Sequence, residues 1–157
     1  MSRRRRQVER VIYPDPKYNS KTLSIFINTI MQRGKKSLAE SIVYGAMDII
    51  AKKTDEENPL DVFLQALENV KPMVKVVSKR IGGSNYQIPM EVSSKNAQAL
   101  AFRWIIGFAR KRSEKTMDER LAGELLAAYK KEGNSIRKRE ETHRMAEANK
   151  AFAHFRV

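Results

Sequence analysis

The chain has 157 residues, with 31 lysines and arginines against 18 aspartates and glutamates, giving a formal net charge of +13. It has no cysteine, which excludes disulfides and cysteine-based metal sites, and no apolar run nears the ~20 residues that a membrane-spanning helix needs. Hydrophobic residues make up 41%, enough for the core of one domain, so the excess charge sits on a folded surface that favours an anionic partner.

The N-terminus places Arg3, Arg4, Arg5 and Arg6 in one run, with Arg10 shortly after. A compact body cannot bury such a run. Each guanidinium can take a phosphate through paired N–H donors and release condensed counterions. A tail that only aids solubility would explain this run, but not the basic clusters further along. No apolar h-region follows the charged start, and Glu9, Asp15 and two early prolines do not suit a transit peptide. Residues 1–18 show no helical period. Pro14 and Pro16 favour extended backbone, so Tyr13 to Pro16 is expected to run as a semi-rigid strap. The expected organisation is an extended basic arm over 1–18 and a helical domain over 19–157.

From Ser20 the pattern turns helical. Leu23, Phe26, Ile27, Ile30 and Met31 share one face, and Gly34 suits a left-handed stop. Ser37 with Glu40 three residues on reads as a capping box. It predicts a second helix whose buried stripe is Leu38, Ile42, Val43, Ala46, Ile49 and Ile50. Lys52 to Glu57 is a polar linker. Asn58 and Pro59 form an N-cap and a first-turn proline, opening a third helix with Phe63, Ala66, Leu67 and Val70 inside and Pro72 at its end.

The period then becomes two. Val74, Val76 and Ser78 alternate with Lys75, Val77 and Lys79; Gly82 to Asn85 is a turn signal; Tyr86, Ile88, Met90 and Val92 alternate on the return. This predicts a β-hairpin over about 73–92. Two strands alone are marginal in water, so the hairpin must lean on the helices or on a partner. Pro89 confines it to a ribbon or edge role.

Ala97, Leu100, Ala101, Trp104, Ile105 and Phe108 mark a fourth helix, with Trp104 expected in the core. It ends in Arg110, Lys111 and Arg112, cations suited to the negative end of the helix dipole. Thr116 with Glu119 is another capping box, opening a fifth helix with Leu121, Leu125, Ala128 and Tyr129. After Gly133 and Asn134 a charged C-terminal helix is expected over about 135–157, with Ile136, His143 and Ala146 as a thin apolar seam. The fold class is mainly α: a single domain of about six helices with one protruding β-hairpin and a basic N-terminal arm.

Enzyme chemistry finds no support. Arg33 to Ser37 has the ending of a phosphate-binding loop, but Thr29 stands where its other glycine belongs. Lys35 and Lys36 still suit phosphates, because they stand at a helix N-terminus. His143 and His154 are the only histidines and lack metal spacing. The helix dipole accounts for Asp55, Glu56, Glu57 and Asp61 at a helix start. No cofactor is expected. Tyr86, beside Lys75, Lys79 and Arg80, is either a base-stacking platform or a ribbon-packing residue. The basic block of Lys130, Lys131, Arg137, Lys138 and Arg139 continues to Arg144 and Lys150. Glu140, Glu141 and Glu147 can pair with it locally, so a solvated helix competes with phosphate binding there.

Four stretches together resemble the bacterial-type small-subunit ribosomal protein S-seven family. They are Tyr13-Pro14-Asp15-Pro16-Lys17; Gly34 to Ser37 running into Ala39 to Tyr44; Arg80 to Ser84 with Tyr86 to Pro89; and Lys138 to Glu141 with His143 to His154. Ala101, Arg103 and Trp104 to Ile106 fit as well. The resemblance covers nearly the whole chain. It implies a helical domain with a protruding hairpin that binds the 3′ major domain of small-subunit rRNA and nucleates assembly of the subunit head. It also implies a place at the subunit interface beside the exit-site tRNA and mRNA, with ribosomal proteins S-nine and S-eleven as neighbours.

Carried over, the arm from Arg3 to Arg6 with Arg10, together with Lys35, Lys36, Arg110, Lys111 and Arg112, would contact rRNA. Lys75, Lys95, Arg137 and Lys138 join that set by their charge. Lys79, Arg80, Gly82, Gly83, Ser84, Tyr86, Arg144, Lys150 and Arg156 would face tRNA and mRNA. The family often carries several arginines before the fourth helix, whereas Ser93 to Ala97 here holds Lys95 alone. Ser93 or Ser94 can still cap that helix and leave its N–H groups to a phosphate. The expected protein is a cytoplasmic component of the small ribosomal subunit, without enzymatic activity, membrane or homo-oligomer. A DNA-binding regulator would need a short helix–turn–helix with a polar recognition helix, which is not evident. A protein–protein module would leave the +13 charge unexplained.

Overall fold

A computed structural model of the chain describes residues 11–54 and 58–155. Six α-helices and one hairpin follow in order: α1 (Lys21–Ile30), α2 (Lys36–Lys53), α3 (Pro59–Val70), β1 (Val74–Ile81), β2 (Ser84–Glu91), α4 (Ser94–Ala109), α5 (Met117–Tyr129) and α6 (Gly133–Ala148). A 3-10 helix over Lys150–Phe155 closes the described chain. The mainly α class with one antiparallel hairpin is as expected.

Local chemistry sets several ends. Ser20 accepts from the Leu23 N–H and caps α1. Asn58 accepts from the Leu60 N–H at 3.1 Å, with Pro59 in the first turn of α3. The Thr116 N–H donates to Glu119, which completes the capping box of α5. The box expected at Ser37 does not form. Gly34 and Arg33 both take positive φ in the turn after α1, and that turn brings the chain round early. Lys35 becomes the N-cap, without a side-chain bond, and Ser37 is already inside α2. Gly34 is left-handed as expected, but it follows the end of α1 by several residues. Ser93 is the N-cap of α4, also without a side-chain bond.

The core centres on three rings. Phe26, Phe63 and Phe102 come from α1, α3 and α4. The Phe63 and Phe102 rings each lie 5.1 Å from that of Phe26, edge to face, the geometry that the ring quadrupole favours. Helix α5 runs through the middle, packed on α2, α3, α4 and α6, with Leu121, Ala122, Leu125 and Ala128 buried. Asn69 of α3 caps its far end by donating to the carbonyls of Ala128 and Tyr129 at 3.0 and 3.1 Å. Arg139 of α6 donates to the Asn69 carbonyl.

Two stripes are rotated from the expected ones. On α2, Ala39, Val43, Ala46, Met47 and Ile50 are buried, while Leu38 is 53% exposed and Ile42 and Ile49 are half-buried. On α4, Phe102 and Ile106 are buried and Trp104 is only half-buried at the margin of the core. The C-terminal segment is not one helix to the end: α6 stops at Ala148 and the 3-10 turn follows.

The hairpin pairs Val74 with Glu91 through to Ile81 with Ser84. Its turn is tighter than expected, because Ser84 and Asn85 are already in the ladder. Gly82 and Gly83 alone make the bend, at φ +57° and +88°, as a type I′ turn requires. The Val92 N–H donates to the Met73 carbonyl and extends the pairing to 73–92. The ribbon leans on α6 and the 3-10 helix, Ile88 is buried, and the Met73 N–H donates to His143 Nε2 of α6 at 3.0 Å.

Candidate nucleic-acid interface

One set of exposed cations borders the groove between α1 and α4. Lys95, Arg103 and Arg110 stand along α4 within an arc of about 80° at ~100° per residue. They line a groove of about 600 Å³ between α1 and α4, whose floor includes Ile25, Phe102 and Ile106. Arg110 also borders a second hollow of about 280 Å³ with Arg33 and Lys35, at the turn from α1 to α2. The two hollows share Arg110, which borders Arg33 and Lys35 in one and Arg103 and Lys95 in the other. Among the described residues, none of these five pairs with a carboxylate. Arg110 does donate to the Ile30 carbonyl at 3.4 Å, a long bond that steadies it over the groove.

Other cations are engaged within the chain. Arg112 donates to Glu114 at 2.7 Å and to the fully buried Glu124 at 3.3 Å. Hydrogen bonding to Glu114 raises the guanidinium pKa, and Arg112 in turn holds the Glu114 carboxyl below its usual range. Glu124 also accepts from the Ser135 N–H and hydroxyl at 3.1 and 2.6 Å. This network binds the α4–α5 loop to the start of α6, and Arg112 belongs to it. Lys138 pairs with Glu141 at 2.8 Å, which lowers the Glu141 pKa. Lys36 lies 3.8 Å from Glu40, and the Lys111 ammonium sits 5.6 Å from the Phe108 ring centre. Arg137, Lys138 and Arg144 surround a third hollow of about 420 Å³, shared with Glu140 and Glu141.

The hairpin forms a separate region. Lys79, Arg80, Gly82, Gly83 and Ser84 are exposed at its tip, Lys75 is half-buried nearer the base, and Arg144 and Lys150 are exposed. Tyr86 is half-buried, with its ring 5.4 Å from Phe152 and 5.3 Å from Phe155 of the 3-10 helix. Its packing partner is therefore the C-terminal segment. His143 at the hairpin base has its pKa lowered, first by burial and then by Arg139, which suits a ring that accepts from the Met73 N–H. Arg3, Arg4, Arg5, Arg6, Arg10 and Arg156 lie outside the described residues.

Sequence reasoning singled out neither Arg33 nor Arg103 as contacts. The signal for Arg103 was its spacing, eight residues after Lys95 and seven before Arg110. Among the described residues there is no cluster of groups that could hold a metal, and no helix long and apolar enough to cross a membrane.

The family described as ribosomal protein S7p/S5e matches residues 2–150. The chain is 61% identical to the small ribosomal subunit protein uS7 of Syntrophotalea carbinolica, over 99% of both chains. Proteins of the same name from Syntrophobacter fumaroxidans and Nitrosospira multiformis are 57% and 58% identical over the same share.

Proposed function

The chain belongs to the ribosomal protein S7p/S5e family, and we propose from that premise that it binds the 3′ major domain of small-subunit rRNA and nucleates assembly of the subunit head. It is a small-subunit ribosomal protein without enzymatic activity, and rRNA is its partner. The observation that carries the reading is the row of Lys95, Arg103 and Arg110, continued by Arg33 and Lys35, none of which pairs with a carboxylate among the described residues. Exposed cations with no carboxylate partner gain most from phosphate, since counterion release then adds to a charge-assisted bond. The arm from Arg3 to Arg10 extends the same chemistry. The hairpin tip with Arg144 and Lys150 is the second face, turned to exit-site tRNA and mRNA, and ribosomal proteins S-nine and S-eleven are neighbours of the protein.

Binding to separate transcripts of the 5′, central and 3′ major domains tests the first part. The 3′ major domain should bind most tightly, and equal affinity for all three would refute the assignment. For the hairpin, replacing Lys79 to Asn85 by an Asn-Gly turn should preserve head assembly and loosen retention of exit-site tRNA. Shortened ribosomes that match wild type in tRNA release and frame maintenance would remove that role.

A further inference from the structure

The groove between α1 and α4 has a charged rim and apolar walls, and phosphates account only for the rim. Lys95, Arg103 and Arg110 carry the charge. In the walls, Ile12 and Ile25 are half-buried and Ala99 is exposed, above the buried Phe102 and Ile106. Among the described residues no carboxylate lines the groove. A phosphate gains nothing from an apolar wall, whereas a flat ring flanked by negative charge suits both parts.

The order of residues on α4 gives this shape. Ala99 stands between Lys95 and Arg103, and Gly107 between Arg103 and Arg110, each at a spacing of three or four residues. A small side chain therefore falls between successive cations on one face. Gly107 is less favourable inside a helix than alanine, and an added Cβ there would meet nothing within 4 Å. Close packing does not require the glycine; its effect is to keep the groove open beside two guanidinium groups. Thr29 and Gln98 add uncharged polar groups to the lining. The Thr29 hydroxyl donates to the Ile25 carbonyl at 2.8 Å, which leaves its oxygen to accept, and the Gln98 amide can donate or accept.

We propose that this groove takes an unstacked base of rRNA: the ring lies on the apolar walls, the rim cations hold the phosphates on either side of it, and Thr29 and Gln98 meet its polar edge. The inference rests on the reading that this surface binds rRNA, and adds a base to what would otherwise be contact with phosphates alone. RNA supplies such bases in loops, bulges and ends, where they leave the stack and lie against aromatic or guanidinium planes. A rim of cations without a carboxylate favours this occupant over a protein helix, whose apolar face would meet the walls but bring no matching charge.

The test uses Gly107→Leu and, separately, Ala99→Leu in the full chain; each fills the groove and keeps the rim cations. Binding to a small-subunit rRNA transcript, with no other protein present, is followed over a salt series, and unpaired bases are probed with dimethyl sulfate and a carbodiimide. Melting of the free proteins checks folding, which neither substitution should harm. Each variant should bind about tenfold more weakly with an unchanged salt slope, and one base that the wild-type protein protects should become reactive again. Lys95→Gln with Arg103→Gln is run beside them and should make the slope shallower. If that pair changes neither affinity nor slope, the surface does not bind rRNA and the inference falls with that reading. If the pair lowers the slope while both leucine variants bind and protect like wild type, the rRNA reading stands and the groove proposal is overturned. A tenfold loss with no base regaining reactivity would overturn it as well. So would a loss that disappears in a chain lacking residues 2–10, because that segment would then be the occupant.

Discussion

Replacing Lys95 and Arg103 by glutamine should remove two phosphate contacts while leaving the fold intact. Both side chains are exposed, both line the α1–α4 groove, and neither pairs with a carboxylate among the described residues. Each lost contact lowers the slope of log affinity against log salt by about 0.7–0.9. The double variant should therefore bind rRNA with a slope shallower by roughly 1.4–1.8. At 0.1 M salt the same relation gives roughly 5–8-fold per contact, so roughly 25–60-fold for the pair. Lys52→Gln with Lys53→Gln is the control. It removes the same charge from exposed residues at the far end of α2, about 26 Å along the axis from Lys36. Filter binding or anisotropy over a salt series reads both numbers, with melting temperature as a check on folding. A slope unchanged in the α4 variant, or an equal loss in the control, would refute the reasoning and leave only the net charge.

Glu124→Ala should cost about 2–4 kcal/mol in urea unfolding, because it strands the Ser135 donors and the Arg112 guanidinium. Trp104→Ala should cost about 1–3 kcal/mol, against about 3–5 kcal/mol for the buried Phe102→Ala, and the reverse order would contradict the burial. The His143 pKa is lowered in the folded protein, so the unfolded state binds its proton more readily. Its contribution is then complete above about pH 6.5 and is lost as pH falls through the lower folded value. Amide exchange at the Met73 end of the hairpin should accelerate on going from pH 7 to pH 5, after correction for intrinsic rates, and His143→Gln should remove the pH dependence.

The parts legible in the sequence were those fixed by neighbours along the chain. Asn58 with Pro59 and Thr116 with Glu119 cap their helices as expected, since both partners lie within one turn. Gly82 and Gly83 had to bend because only glycine takes two successive positive φ values freely. The box at Ser37 failed because a turn before it, at Arg33 and Gly34, set the start of α2 instead. The α4 stripe was misjudged at Trp104 because Phe102 is chosen by Phe26 of α1, a distant residue. Spacing could not separate the two faces, as both are apolar. Glu124 gave no local sign of burial: Arg112 precedes α5 and Ser135 follows it, and only packing brings them together. The basic clusters were visible, yet which cations are neutralised inside the chain was not.

That last distinction sorts the +13 charge by task. Along α4 the cations stand about 10–12 Å apart on the axis. At that distance in water their repulsion is about 0.4 kcal/mol per neighbouring pair, and salt screens it further. Burying Phe102 alone offsets more than this, at about 1.5–3 kcal/mol. The helix therefore carries an unneutralised row without destabilising the free protein appreciably, and no carboxylate is needed beside it. Arg112, just beyond the helix end, differs because its guanidinium pairs with one oxygen of the fully buried Glu124, whose other oxygen takes the Ser135 donors. Removing it would expose the cost of that carboxylate, so its effect on RNA binding would be confounded with unfolding. Lys95 and Arg103 have no such obligation. A loss of affinity on their removal reports the interface itself, and for this reason α4, rather than the denser cluster at Arg110 to Arg112, is where the proposed phosphate recognition by the body is cleanly tested.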